Sequence, residues 1–199
     1  KRVLLNEKRV NYRLVNLLSR CEIISKPNPC ALLKAVKNPV EIENIRKAHL
    51  MDGIAVTKFM YWLKNSVGKM KITESDAGAY IDSLRKEVGG EHFIGVSFDT
   101  ISAYGANAAM MHYSAETGNN AELKPEGMLL VDSGGHYFEG TTDITRTFAL
   151  GEITDEMRSH FTVTLRAMLN LAAAKFMYGC KGENLDILAR GPMWEKGLD

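Results

Sequence analysis

Two aspartates, Asp132 and Asp143, stand in the two arms of what reads as a β-hairpin within residues 128–151. Met128-Leu129-Leu130-Val131 is an apolar run ending at Asp132, and a polar, glycine-rich connection follows. The return arm, Asp143-Ile144-Thr145-Arg146-Thr147-Phe148, is rich in β-branched residues, as strands are. A turn centred near Tyr137-Phe138 sets Asp132 opposite Asp143 on one face of the ladder, with Cβ atoms roughly 4.5–5.5 Å apart. Like charges that close repel unless a proton or a cation lies between them. A shared metal ion would put both carboxylates to use. Aspartates near glycine also form turns, and Asp132 precedes Ser133-Gly134-Gly135. Spacing alone leaves a metal site and a turn both open.

The period-2 alternation of a strand sorts the neighbours. Thr145 and Thr147 share the face of Asp143, so Thr145 could hydrogen-bond a ligand carboxylate and orient it. Arg146 points the other way and reads as one half of a structural ion pair behind the sheet. The five histidines are His49, His92, His112, His136 and His160, with no His-x-x-x-His pair among them. His112 closes a short apolar run, Met110-Met111-His112-Tyr113, which predicts a strand.

The elements that must position these residues are signalled locally. Short strands at Val3-Leu4-Leu5 and Glu22-Ile23-Ile24 flank a helix over about residues 11–19, and Pro27-Asn28-Pro29 reads as a rigid spacer. Asn38, Pro39 and Glu41 are an N-cap, a first-turn proline and the acid of a capping box. Ile42, Ile45, Val56, Phe59, Met60 and Leu63 follow as a buried stripe, with His49 and Asp52 as satisfied polar groups at its edge. A second helix starts near Thr73 with Asp76 three residues on, buries Tyr80, Ile81 and Leu84, and ends at Gly89-Gly90. Phe93-Ile94-Gly95-Val96-Ser97-Phe98 is strand-like, and a small-residue loop covers 103–109. Beyond the hairpin, Thr154 caps a helix buried through Met157, Phe161, Leu165, Met168, Leu169 and Phe176 that Gly179 stops. The last helix starts near Glu183 and should break or kink at Gly191-Pro192. Strands cluster between residues 92 and 150, which argues for an α+β fold rather than a doubly wound one.

Composition bounds the function classes. The chain has 199 residues, 25 Lys plus Arg against 24 Asp plus Glu, and no global field that would draw nucleic acid or an anionic membrane. No apolar run is long enough to span a bilayer. Cys21, Cys30 and Cys180 lack metal-ligand spacing and read as reduced thiols of a cytoplasmic protein. The chain opens at Lys1 and ends at Asp199 without a terminating signal, so a piece of a longer protein is expected: residues 1–37 as the tail of an upstream domain and a linker, residues 38–199 as the first part of a second domain.

His112, Asp132 and Asp143 together resemble the first half of the active site of the pita-bread metallopeptidases, in particular the cytosolic Xaa-Pro aminopeptidase (aminopeptidase P) group. The resemblance covers essentially residues 30–199. It begins at Leu33-Lys34-Ala35-Val36-Lys37-Asn38, runs through Glu41-Ile42-Glu43 and Arg46-Lys47-Ala48-His49, and returns at Phe98-Asp99-Thr100-Ile101. Gly140-Thr141-Thr142-Asp143-Ile144-Thr145-Arg146-Thr147-Phe148 is its most specific part. It implies the N-terminal half of a pita-bread fold, an antiparallel sheet flanked by helices. It further implies hydrolysis of peptides with proline in second position by a hydroxide that two divalent ions, commonly Mn²⁺, activate. Asp132 would bind one ion through both oxygens, Asp143 would bridge both ions, and His112 would hydrogen-bond the substrate or the tetrahedral intermediate. A histidine and two glutamates, the remaining ligands of the family, follow the last helix and lie beyond Asp199. A prolidase-like dipeptidase and a non-catalytic pita-bread binding module are the alternatives. A half-domain exposes the sheet face and helix stripes that the rest would cover, and either homodimerisation through that face or further residues that cover it are expected.

Overall fold

The computed structural model describes residues 1–116 and 119–199. Strands β1 (Arg2–Leu5) and β2 (Glu22–Ser25) pair in parallel around the short helix α1 (Tyr12–Leu17), which Asn11 caps. The Pro27-Asn28-Pro29 segment does more than space: Asn28 accepts from Cys30 N and caps a helix, α2 (Pro29–Ala35), that the prolines had hidden. The long helix α3 (Pro39–Ser66) starts on the expected capping box, with Glu41 N donating to Asn38 at 2.9 Å and Asn38 N to Glu41 at 2.8 Å. Helix α4 (Glu74–Gly89) starts on a second one, Thr73 with Asp76. The backbone and hydroxyl donors of Thr73 hold the Asp76 carboxyl below the usual carboxylate range. That cap is fully formed above the ordinary carboxylate pKa and is lost as pH falls through the lowered value.

Two three-stranded sheets follow. One has the order β3 (Phe93–Val96), β6 (Gly135–Tyr137), β7 (Gly140–Thr141); the other has the order β4 (Ile101–Tyr104), β5 (Met128–Ser133), β8 (Ile144–Ala149). Pairing within both is antiparallel. Leu129, Val131 and Phe148 turn toward α3 and α4 and close the core with Ala55, Phe59, Leu63, Ile72, Ala77, Ile81 and Leu84. Met128, Leu130 and Asp132 alternate with them and face away.

Several expectations are corrected here. The stripe of α3 runs through Ala48, Asp52, Ala55, Phe59 and Leu63, while Ile42 and Met60 are exposed. Residues 110–113 are not a strand; a 3₁₀ turn over Gly105–Ala109 leads into a turn there, and Met111 is 90 % exposed. Helix α5 (Asp155–Ala172) has its Thr154 cap but ends before Gly179. It buries only Val163 and Ala167 and leaves Phe161, Leu165, Met168 and Leu169 exposed, because among the described residues it packs mainly on α6. Helix α6 (Gly182–Trp194) carries Pro192 within it instead of breaking at Gly191. Proline so near the C-terminus costs one hydrogen bond, and the helix continues for only two residues beyond it.

Asp52 is no edge residue. It is fully buried and bonds Arg85 Nε of α4 at 2.5 Å, and the Tyr137 hydroxyl of β6 donates to the same carboxylate at 3.1 Å. Burial first, and the Asp52 charge second, push the Tyr137 phenol far above its ordinary value, so it remains a donor. Removing one member of a buried ion pair strands the other. Asp52→Ala should therefore lower the unfolding free energy by about 3–5 kcal/mol in denaturant melts. The triple change Asp52→Leu, Arg85→Met, Tyr137→Phe should recover most of that loss, because no buried polar group is then left unpaired. A single-variant cost below about 1 kcal/mol, the range of exposed pairs, would contradict this.

Candidate metal centre

The hairpin that carries the aspartates crosses from one sheet to the other in a single register. Asp132 pairs with Thr145 and Ser133 with Ile144 in the first sheet; His136 pairs with Thr141 and Tyr137 with Gly140 in the second. The two-residue turn is Phe138-Glu139, one position later than expected. Moving the turn by one residue moves each pairing by two, so Asp132 is not directly opposite Asp143, yet its face is unchanged. The continued register sets Asp143 opposite Gly134, diagonal to Asp132 and about 7–8 Å away by ladder geometry. Metal–oxygen bonds of roughly 2.0–2.6 Å on each side bridge much of such a gap.

Thr145 lies where the alternation put it. Its hydroxyl donates to Asp132 Oδ1 at 2.7 Å and orients that carboxylate. Asp132 is half-buried, and Asp143 and Thr145 are exposed. Arg146 is on the opposite face, near Val131 and Phe148, but its guanidinium donates to the Thr145 carbonyl at 2.8 Å; no carboxylate pairs with it among the described residues. The Asp132 face of β5 carries a cavity of about 620 Å³ lined by Tyr104, Ala108, Met128, Leu130, Thr147 and Met157.

The tip of the hairpin is anchored by Tyr137. A β-carbon at Gly135 would lie 2.9 Å from its ring, and one at Gly89, the end of α4, also 2.9 Å, so two glycines make room for this side chain. Ser97 Oγ donates to the Thr142 carbonyl at 2.9 Å, and the Thr142 hydroxyl accepts from Gly135 N at 2.9 Å. None of these contacts was visible in the spacing of the aspartates. The signals that could have found them are the polar interruption of α3 at Asp52 and the glycines around residue 135.

His112 lies outside the hairpin that carries the aspartates. It is exposed, in a turn with φ of 55°, and not at a strand end. The 3₁₀ turn that precedes it packs on β4 and β5, which carries the loop to the sheet that holds Asp132. Among the described residues no three His, Cys, Asp or Glu side chains gather as a metal-holding group. The donor chemistry of Asp132 and Asp143, hard oxygens on one face with one of them oriented by Thr145, fits a divalent cation such as Mn²⁺. Two carboxylates supply only part of its coordination sphere.

Gly134 tests the register. A β-carbon there would be driven into the Thr142 carbonyl oxygen and Ser97 Oγ. Gly134→Ala should destabilise by about 1–3 kcal/mol through overpacking. Gly53→Ala, in the middle of α3 with nothing within 4 Å of the added carbon, should be neutral or stabilising by up to about 1 kcal/mol. Equal thermal shifts for the two variants would contradict the described turn.

Comparison with known proteins places this geometry. Residues 43–199 match the model of metallopeptidase family M24. Aminopeptidase P1 of Arabidopsis thaliana is 39% identical over 209 residues, covering 94% of this chain and 32% of the relative. A probable Xaa-Pro aminopeptidase P of Tuber melanosporum is 45% identical over 167 residues, covering 83% and 27%. The chain thus spans about a third of the length of the curated relatives it matches. Among solved structures, the X-prolyl aminopeptidase of Caenorhabditis elegans, described as a cytosolic enzyme with a di-nuclear active site, superposes with a TM-score of 0.90 at 35% identity. It covers 99% of this chain and 32% of that one. The prolidase of Pyrococcus furiosus, at 24% identity and a TM-score of 0.76, over 99% of this chain and 56% of that one, shares the fold. The α+β architecture of helices and antiparallel sheets is that of the pita-bread enzymes, of which the chain covers a third to a half. With most of its length matched by the family model, the chain belongs to metallopeptidase family M24.

Proposed function

We propose that residues 38–199 are the first part of the catalytic domain of an Xaa-Pro aminopeptidase and that residues 1–37 are the end of an upstream domain and its linker. The observation that carries the reading is the register common to both parts of the hairpin, which by strand alternation argues for Asp143 on the face of Asp132, with the Thr145 hydroxyl donating to the Asp132 carboxylate. The names of the relatives support it, and their greater length supports further ligands from elsewhere in the full protein. Asp132 would hold one divalent ion, Asp143 would bridge two, and Mn²⁺ is the first choice for so oxygen-rich a set. When bound, such a pair polarises a peptide carbonyl and lowers the pKa of water. The Thr145 hydroxyl on Oδ1 holds the Asp132 carboxylate in one orientation, in which both of its oxygens would be offered to the cation. His112, on an exposed turn, would donate a hydrogen bond to the peptide substrate or to the oxyanion that forms from its carbonyl. The reading as a cytoplasmic protein is supported by the C. elegans enzyme being described as cytosolic, and no helix among the described residues is long and apolar enough to cross a membrane.

The experiment is hydrolysis of an Xaa-Pro-Xaa peptide by the full-length protein with added Mn²⁺, beside an Xaa-Pro dipeptide and a chelated control. Release of the first residue from the longer peptide, abolished by Asp132→Asn and by Asp143→Asn, is expected. Cleavage of the dipeptide alone would make the protein a prolidase-like dipeptidase, and metal binding or cleavage by neither would make it a binding module. The 199-residue chain by itself should be inactive and bind Mn²⁺ weakly, because only two ligands are present. Thr145→Val in the full-length protein should weaken metal binding about 10–100-fold in titration calorimetry with little change in melting temperature. An unchanged affinity would remove Thr145 from the site.

A further inference from the structure

We propose that Glu74 positions His112 by anchoring the loop that carries it. Glu74 is the first residue of α4 and is fully buried. Among the described residues its two carboxylate oxygens accept four hydrogen bonds, one from the last residue of β4 and three from the segment between β4 and β5. Oε1 accepts from Tyr104 N at 2.6 Å and from Asn107 Nδ2 at 2.9 Å. Oε2 accepts from the Tyr113 hydroxyl at 2.7 Å and from Ala121 N at 2.8 Å. One carboxylate therefore holds the start of the loop, its 3₁₀ turn, the residue next to His112, and its return. The Asn107 amide also donates to the Tyr113 hydroxyl at 3.1 Å, which ties two of those anchors together.

The backbone completes the clasp. Glu74 N donates to Ala121 O at 3.0 Å, Ser75 N to Asn120 Oδ1 at 3.0 Å, and Leu123 N to Ile72 O at 2.8 Å. Tyr113 is 6 % exposed, so its ring is a fixed post beside an exposed imidazole. Burial first, and the Glu74 hydrogen bond and charge after it, raise the Tyr113 phenol above its ordinary value, so it stays a donor to Glu74. His112 has φ of 55°, in the left-handed region that few non-glycine residues adopt. The anchored neighbour holds it there. Glu74 touches no substrate in this account; it acts through the placement of His112.

The inference rests on the reading of His112 as a substrate-contacting group, and the test separates the two. Glu74→Gln replaces one acceptor oxygen with an NH₂ group that faces two donors, and so releases one pair of anchors. In the full-length protein, assayed with saturating Mn²⁺ well below each variant's melting temperature, Glu74→Gln should lower kcat at least tenfold with KM changed less than about threefold, the signature of a misplaced group acting in the transition state. In a His112→Ala background the same change should alter kcat less than about twofold, because the group it positions is gone. Tyr113→Phe, which removes one anchor and keeps the ring, should show the same coupling with a smaller effect, and serves if Glu74→Gln does not fold. Equal fold-losses from Glu74→Gln or Tyr113→Phe with and without His112 would overturn the positioning role while leaving His112 in the site. An unchanged kcat in His112→Ala alone would overturn the role of His112, and this inference with it.

Discussion

The register of one hairpin governs everything proposed for this chain. Strands β5 and β6 run out and β7 and β8 run back about the Phe138-Glu139 turn, and the pairing never slips between the two sheets. Because side chains alternate with period 2, that register decides whether Asp132 and Asp143 share a face at all. A slip of one residue between the arms would put the two carboxylates on opposite sides of the sheet. What prevents it is the fixed tip. Tyr137 passes between Gly89 and Gly135 and reaches the Asp52–Arg85 pair that joins α3 to α4. The buried ion pair thus acts on the site at a distance, through the position of the strand that follows Asp132.

A division of labour follows. The helix-facing side of the sheet holds the packing residues Leu129, Val131 and Phe148, and the opposite side holds Asp132, Thr145 and a mainly apolar cavity. The two fully buried carboxylates among the described residues are clasped: Asp52 by Arg85 and Tyr137, Glu74 by four donors. Burying a carboxylate is costly unless such partners are in place. The carboxylates assigned to metal are the ones left accessible.

Local signals were legible in the sequence and non-local ones were not. Asn38 with Glu41 and Thr73 with Asp76 announced their helices, because a capping box is contained in four residues. The β-branched return arm announced β8, and alternation placed Thr145 on the carboxylate face although the turn was set one residue early. Asp52 read as an edge residue because its partners, Arg85 and Tyr137, are remote in sequence. Glu74 went unnoticed for the same reason: every donor that satisfies it comes from residues 104–121. Met110 and Met111 suggested a strand by apolarity alone, yet no strand pairs with them among the described residues, and the Glu74 clasp shapes that segment instead. Helix α5 was legible as a helix, but the burial of its stripe depended on a cover that the described residues do not provide.

The central claim is that Asp132 and Asp143 jointly hold metal. Anomalous diffraction at the manganese edge, from crystals of the full-length protein grown with Mn²⁺, tests it most directly. The account predicts two peaks, one bonded to Asp132 and both within bonding distance of Asp143, with Thr145 still on the Asp132 carboxylate. Peaks that leave Asp143 without a metal bond, or no peak beside the hairpin at full Mn²⁺ occupancy elsewhere, would contradict it.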